Sequence, residues 1–163
     1  MGETAQAAVG RNEIRAAPEY RGVPMVAVEI AYPQVTVNRI PTSGVYINGW
    51  YQASAQRTYV HGCRSLFRAA SAQYRQSLRY GYPFRPYALS EEFAVSYNAN
   101  GFLSLYTDCY EYTGGAHGNT VRRADNWNLA GCCRMQLAEF FRGAGWRDII
   151  LNGIYARINA QMA

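Results

Sequence analysis

Residues 45–80 have the sequence VYINGWYQASAQRTYVHGCRSLFRAASAQYRQSLRY, and this stretch decides the fold. It contains no proline, and two glycines, Gly49 and Gly62, interrupt it. Apolar residues recur in steps of three and four, the spacing that places side chains on one face of an α-helix. They are Ile47, Tyr51, Ala55, Tyr59, Cys63, Phe67, Ala70, Tyr74 and Leu78. Because Gly81 and Pro83 then end the pattern, it predicts one long amphipathic helix over residues 45–80.

A second stripe of the same helix is basic. It consists of Arg57, Arg64, Arg68, Arg75 and Arg79, in steps of seven and four. At a rise of 1.5 Å per residue, these five guanidinium groups span about 33 Å, which suits a linear polyanion such as nucleic acid or a cell-wall polymer. The alternative is a solvated helix face whose arginine stems cover apolar surface.

Strand patterns surround the helix. β-branched and alternating residues predict a strand over 23–37, a hairpin of 93–97 with 102–112, and a third strand over 119–129. Residues 135–141 and the segment from 146 onward have short helical patterns. We therefore predict an α+β fold in which one long helix in the N-terminal half packs on an antiparallel sheet of about four strands, with two shorter C-terminal helices. Residues 1–22 are expected to form a flexible arm, and 23–163 a single domain with halves 23–90 and 91–163.

Charge is distributed unevenly along the chain. All sixteen basic residues are arginine, and the segment from Ile30 to Ser90 contains seven of them and no acid. Arginine forms two-pronged contacts with carboxylates and phosphates, although a genome rich in arginine codons would give the same composition. The sequence therefore predicts one positive end and one nearly neutral end.

Targeting signals are missing from the sequence. No apolar run approaches the roughly 18 residues of a membrane span, and the first twenty residues contain no apolar export segment. We expect no membrane span, and a cytoplasmic location for the chain as written or an extracytoplasmic one if a leader has been removed. The oligomeric state is left open.

The most distinctive motif is Gly114-Gly115-Ala116-His117-Gly118. Its backbone N–H groups could cradle an anion, with His117 as a general base beside Asp108, Glu111 or Asp125. The alternative is structural, because glycines supply positive φ and allow close backbone approach. The residues that we single out as ligand-binding candidates are Tyr112, Gly114, Gly115, His117 and Asn119.

Metal and nucleophile signatures are weak. The two histidines and four cysteines lack the paired spacing of zinc sites, and no Gly-x-Ser-x-Gly elbow occurs. We therefore expect no metal, no cofactor and no catalytic residues, and we expect that the chain is not an enzyme.

The run Tyr110–Asn119, followed by 126–129 and 137–141, resembles a bacterial domain family of largely unknown function. That family forms the extracytoplasmic, lysozyme-sensing part of the anti-sigma-V factor and adjoins the polysaccharide deacetylase domain of peptidoglycan deacetylase C. Residues 30–33 and Ile47-Asn48 resemble its N-terminal half. The resemblance covers about residues 26–162, and members continue past the last helix. It implies a non-enzymatic binding or sensing module whose ligand is a protein or a cell-envelope glycan. The alternative is a basic intracellular domain that binds nucleic acid or another polyanion through the arginine stripe.

Overall fold

A computed structural model gives the fold and describes residues 5–162. These residues divide into two compact units, 5–133 and 134–162. The strands are β1 (Ala7–Ala16), β2 (Glu19–Tyr20), β3 (Val23–Pro24), β4 (Val26–Val37), β5 (Tyr87–Ala99), β6 (Phe102–Tyr112), β7 (Asn119–Asn128) and β8 (Cys133–Met135). The helices are α1 (Pro41–Val60), α2 (Phe67–Tyr80) and α3 (Trp146–Met162).

The main sheet of the described chain is six-stranded and mixed, in the order β1-β4-β5-β6-β7-β8. β4 and β5 pair in parallel, from Val26 opposite Tyr87 to Ile30 opposite Glu91. A parallel pair needs a long crossover connection, and the predicted helix provides it. The prediction of an antiparallel sheet of about four strands with two shorter C-terminal helices is therefore wrong, since α3 is the one C-terminal α-helix among the described residues and 137–140 form a 3₁₀ turn.

The long helix is continuous over residues 41–80, because a π-helical segment, His61–Leu66, joins α1 to α2. Its buried face carries Ile47, Tyr51, Ala55, Leu66 and Ala70. Leu78 was predicted to belong to this face but is 62% exposed. The wider π turn rotates the residues that follow it, so that Ser77 is buried instead.

The expected flexible arm, residues 1–22, contains β1 and β2, which together cover 12 of its 22 residues. β1 pairs with β4 from Ala7 opposite Val37 to Ala16 opposite Val28. The apolar residues of β1 are few and mostly small, so they do not make the alternation that would predict a strand. Residues 1–4 of the arm lie outside the described part of the chain, and the boundaries of the predicted single domain stay a prediction.

Two asparagine side chains form hydrogen bonds with the backbone of strands. The Asn48 side chain accepts a hydrogen bond from Val35 N at 2.7 Å and donates one to Val35 O at 2.9 Å. Asn98 bridges Ala7 in the same two-pronged way, at 3.3 and 2.7 Å. These amides satisfy strand backbone groups that would otherwise need another strand. The Asn48 position belongs to the motif that suggested the family resemblance, and this contact gives it a structural role.

Core residues fall into two clusters between the helix and the sheet. Trp127 is buried in one, and its Nε1 donates to the Tyr51 hydroxyl oxygen at 3.0 Å. Met25 and Leu89 are buried in the other. In the second unit, α3 has no buried residue. Of the helices in residues 5–162, none has the length and apolar content needed to cross a membrane.

Candidate functional site

The glycine-rich loop, residues 113–118, connects β6 to β7, which are neighbours in the sheet. Glu111 pairs with Asn119 at its base. Gly114 has φ +86°, which L side chains rarely adopt, and a Cβ there would lie 3.0 Å from Gln73 Oε1. A Cβ at Gly118 would lie 2.3 Å from Tyr110 Cε2. Two of the motif's glycines therefore have structural reasons, whereas Gly115 is exposed and a Cβ there would make only an ordinary contact, 3.9 Å from the His117 carbonyl oxygen.

His117 is exposed, and its Nδ1 lies 3.2 Å from the Gly118 carbonyl oxygen. The three acids considered as its partners have other contacts. Asp108 accepts two hydrogen bonds from Arg122, Glu111 Oε2 lies 2.9 Å from His61 Nε2, and Asp125 accepts from the Tyr51 hydroxyl at 3.3 Å. The arrangement holds the acids in structural pairs.

A hollow of about 330 Å³ lies on the helix side of the loop. Cys109, Glu111, His117, Asn119 and Val121 are among its lining residues. Burial raises the pKa of the Cys109 thiol, and the nearby carboxylate of Glu91 acts in the same direction. The thiol is therefore protonated near neutral pH, the form that is a poor nucleophile.

The predicted loop residues do not converge on one site. His117 and Asn119 border the hollow. Tyr112 lies on the opposite face of the sheet, because side chains alternate between the two faces along β6 and Tyr112 is on the face that does not point toward the helix. Within residues 5–162, no group of three or more His, Cys, Asp or Glu side chains is placed to hold a metal ion.

A row of tyrosines covers the face of β5–β7 that is turned away from the long helix. Leu103 and Leu105 point toward the helix, so the alternate residues of β6 point outward. The register places small residues beside the outward tyrosines: Ala94 and Ala124 flank Tyr106, and Ser90 and Thr120 flank Tyr110. We call this surface the tyrosine face, and it comprises Tyr97, Tyr106, Tyr110 and Tyr112.

Charged groups on the tyrosine face are paired with one another. Arg122 makes a two-pronged contact with Asp108, with both hydrogen bonds 2.7 Å, and its guanidinium lies 4.0 Å from the Tyr106 ring centroid. Arg11 makes an equivalent contact with Glu92 at 2.7 and 2.8 Å. These hydrogen bonds lower the pKa of Asp108 and of Glu92. The face therefore carries aromatic rings and little net charge.

The arginine stripe is exposed along the helix, as all five of its residues lie at the surface. Within the described chain, none of the five has an ion pair with an acid. Arg75 and Arg79 lie over the rings of Tyr20 and Tyr80, at 5.8 and 5.5 Å from the centroids. The helix therefore presents positive charge that the fold does not neutralise.

A family model described as Deacetylase PdaC matches residues 24–120, which is more than half of the chain. The chain belongs to this PdaC family. The matched segment includes β4, the long helix, β5, β6 and the glycine-rich loop. The predicted resemblance to peptidoglycan deacetylase C is confirmed at the level of the family, and the likeness to the anti-sigma-V factor stays a prediction.

A solved structure supports the fold of this PdaC family member. A DUF3298 family protein from Bacteroides fragilis is similar over 97% of this chain and 71% of its own, with 19% identity and a TM-score of 0.63. A DUF3298 family protein from Pseudomonas aeruginosa is matched over 84% of this chain and 56% of its own, with 16% identity and a TM-score of 0.41. No curated protein matches the chain. At 19% identity, the likeness to the Bacteroides fragilis protein shows the fold alone.

Sequence reasoning missed part of both surfaces of this PdaC family member. The run Tyr110–Asn119 includes Tyr112 but not Tyr106, which lies between the buried residues Leu105 and Thr107 of β6. The sequence does not place Tyr20 beside the helix arginines, because the contact joins positions far apart in the chain. Alternation within β6 could have revealed the first, and no local signal points to the second.

Proposed function

We propose that this chain is a non-enzymatic binding or sensing module that holds a protein or a cell-envelope glycan on the tyrosine face and the adjoining glycine-rich loop. The observation that carries the proposal is the row of outward tyrosines flanked by alanine, serine and threonine. Small neighbours leave the exposed Tyr110 ring accessible, whereas Arg122 lies over the Tyr106 ring, and tyrosine supplies large contact area at low entropic cost.

Charge pairing on this face favours a ligand of low charge. Arg122 and Arg11 already donate their two-pronged hydrogen bonds to acids of the same surface. A neutral, hydroxyl-rich ligand can stack on the rings and exchange hydrogen bonds at the rim without displacing those pairs. A glycan has that chemistry.

Two further points support binding over catalysis. The acids nearest the glycine-rich loop are engaged in structural contacts, and Gly114 and Gly118 have conformational or packing roles. The family takes its name from a deacetylase, and a module that accompanies such an enzyme would assist it by retaining the polymer. We propose an extracytoplasmic location together with a glycan ligand.

A binding panel tests the proposal. Immobilised chain is exposed to muropeptides, lysozyme and anionic polymers, and we expect binding of at least one of the first two. Tyr110→Ala should weaken that binding about tenfold, the loss typical of a stacking aromatic residue. Tyr80→Ala is the matched control, because Tyr80 is 68% exposed at the end of the long helix, outside the tyrosine face. If no ligand of the panel bound, or if both variants lost the same amount of binding affinity, the proposal would be refuted.

A second candidate function is binding of nucleic acid or another linear polyanion along the arginine stripe. It is favoured by the unneutralised charge of Arg57, Arg64, Arg68, Arg75 and Arg79. Electrophoretic shift at two salt concentrations tests it, since phosphate contacts weaken steeply as salt rises. An unshifted oligonucleotide at low salt would dismiss this candidate.

A further inference from the structure

Three stripe arginines surround a hollow that the sequence pattern does not reveal. It measures about 380 Å³ and lies between the long helix and the β2–β3 hairpin. Arg64, Arg68 and Arg75 line it together with Tyr20 and Phe67. No acidic side chain of the described residues is among the lining residues. The hollow therefore combines three cations with aromatic surface.

The hairpin places Tyr20 at this position. Arg21 has φ +55° and Gly22 has φ +77°, which together form the tight two-residue turn that joins Tyr20 to Val23. The Tyr20 ring packs edge-on against Tyr74 of the helix, with centroids 6.4 Å apart. Tyr20 is thus fixed between the helix and the guanidinium groups of Arg21 and Arg75, which lie 5.4 and 5.8 Å from its centroid.

The charges of this hollow lack compensation within the fold. Arg64 and Arg68 are four residues apart on one helix face, an arrangement in which like charges repel. Neither has an ion pair with an acid of the described chain. An anion in the hollow would relieve that repulsion and accept several two-pronged hydrogen bonds at once.

We propose that this hollow binds the phosphate group of a phosphate monoester that has a flat or apolar body. A phosphate dianion matches three arginines better than a single carboxylate does, because it has more charge and more acceptor oxygens. The body of the ligand would lie against Tyr20 and Phe67. The hollow holds a small molecule or the end group of a polymer.

The placement of the other two stripe residues distinguishes this site from a linear polyanion track. Arg57 and Arg79 are exposed on the same helix but are absent from the lining of the hollow. A compact phosphate would therefore not contact them, whereas a polymer that follows the helix would. The inference is independent of the tyrosine face, and its test uses other residues.

Isothermal titration with phenyl phosphate, inorganic phosphate and a single-stranded oligonucleotide tests the site. At low salt, we expect phenyl phosphate to bind more tightly than inorganic phosphate, since it adds a ring for Tyr20 and Phe67. Arg64→Gln and Arg68→Gln should each weaken phenyl phosphate binding about tenfold or more. Arg57→Gln and Arg79→Gln remove the same charge from the same helix and should change it less than about twofold.

Several outcomes would overturn the proposal. One is undetectable phenyl phosphate binding by a protein whose thermal unfolding is cooperative. Another is equal loss in all four glutamine variants, which indicates charge along the whole helix. Arg64→Lys separates the geometry from the charge, because lysine keeps the charge but cannot make a two-pronged contact, so we expect it to bind several-fold more weakly than wild type. Wild-type affinity in Arg64→Lys would contradict the phosphate geometry.

Discussion

Arginines of the sheet and arginines of the long helix differ in what they contact. On the sheet, Arg11 and Arg122 each donate two hydrogen bonds to one carboxylate, and Arg123 lies 3.3 Å from the buried carboxylate of Glu91. On the helix, Arg64 and Arg68 have no such partner in the described chain. The same residue type neutralises acids in one region and leaves positive charge exposed in the other.

This difference separates two kinds of surface. The tyrosine face is aromatic and nearly neutral, which favours a ligand of low charge. The helix surface is cationic and includes an aromatic hollow, which favours an anion. We expect that removing an arginine paired with an acid lowers the stability of the fold, and that removing an arginine without such a partner changes the stability little. Substitutions in each region can test this difference between the two surfaces.

The largest effect is expected from Gly62→Val, which would disrupt the scaffold of both surfaces. A Cβ at Gly62 would lie 2.8 Å from Val28 Cγ2 and 3.0 Å from Leu89 Cδ2, so these core side chains or the helix must shift. We expect the free energy of unfolding to fall by about 3 kcal/mol, as in other overpacked cores. Denaturant unfolding measures it. Gly49→Ala, where a Cβ meets no atom within 4 Å, should be neutral or stabilising by up to about 1 kcal/mol. Equal stability of the two variants would contradict the helix placement.

Gly114→Ala should have the next largest effect, because φ +86° is strained for alanine and Gln73 lies close. The expected loss is about 1–2 kcal/mol of unfolding free energy. Gly115→Ala is its control, with an expected change near zero. If Gly115→Ala proved the more harmful, the exposed tip of the loop would have a structural role that its geometry does not suggest.

Substituting one sheet arginine and one helix arginine tests whether only the paired arginine stabilises the fold. Arg122→Gln breaks the contact with Asp108 and should lower the thermal midpoint by about 1–3 °C, the range of a surface ion pair. Arg68→Gln breaks no ion pair and should leave the midpoint unchanged or slightly raised. Scanning calorimetry of both variants measures the effect, and a larger loss in Arg68→Gln would show that helix arginines stabilise the fold.

The smallest expected effect is on the pH dependence of stability, and it arises from carboxylates of the sheet. Arg122 and Arg11 lower the pKa of Asp108 and of Glu92 in the folded state. Between the folded and unfolded pKa values the unfolded chain binds more protons, so this stability is present above the ordinary carboxyl pKa and is lost as the pH falls below it. Asp108→Asn should therefore reduce the loss of thermal midpoint between pH 6 and pH 3, and Arg64→Gln should leave that loss unchanged. An unaltered acid dependence in Asp108→Asn would argue against the pair.

The sequence predicts the elements with strong local periodicity. The long helix, the hairpin of 93–97 with 102–112 and the third strand follow from their residue spacing, and they are confirmed. β1 escapes prediction because its apolar residues are small and few, and its stability comes from pairing with β4. The parallel pairing of β4 with β5 could not be predicted from the sequence either, since the register between distant strands leaves no local pattern.

The candidate surfaces show the same division. All five stripe arginines are exposed along the long helix. Their separation into three that line a hollow and two that do not depends on Tyr20, which lies more than forty residues before them. The structure does not bring Tyr112 and His117 together, because alternation along β6 sends Tyr112 to the face opposite the hollow that His117 borders.

Two-dimensional amide NMR of the whole chain, titrated in turn with a muropeptide and with phenyl phosphate, tests the central claim most directly. The division of the molecule into a neutral aromatic face and a cationic helix predicts two separate sets of shifted resonances. The muropeptide should shift residues around Tyr106, Tyr110 and Tyr112, and phenyl phosphate those around Tyr20, Arg64 and Arg68. If both ligands shifted the same residues, or shifted neither set, the two-surface account would be contradicted.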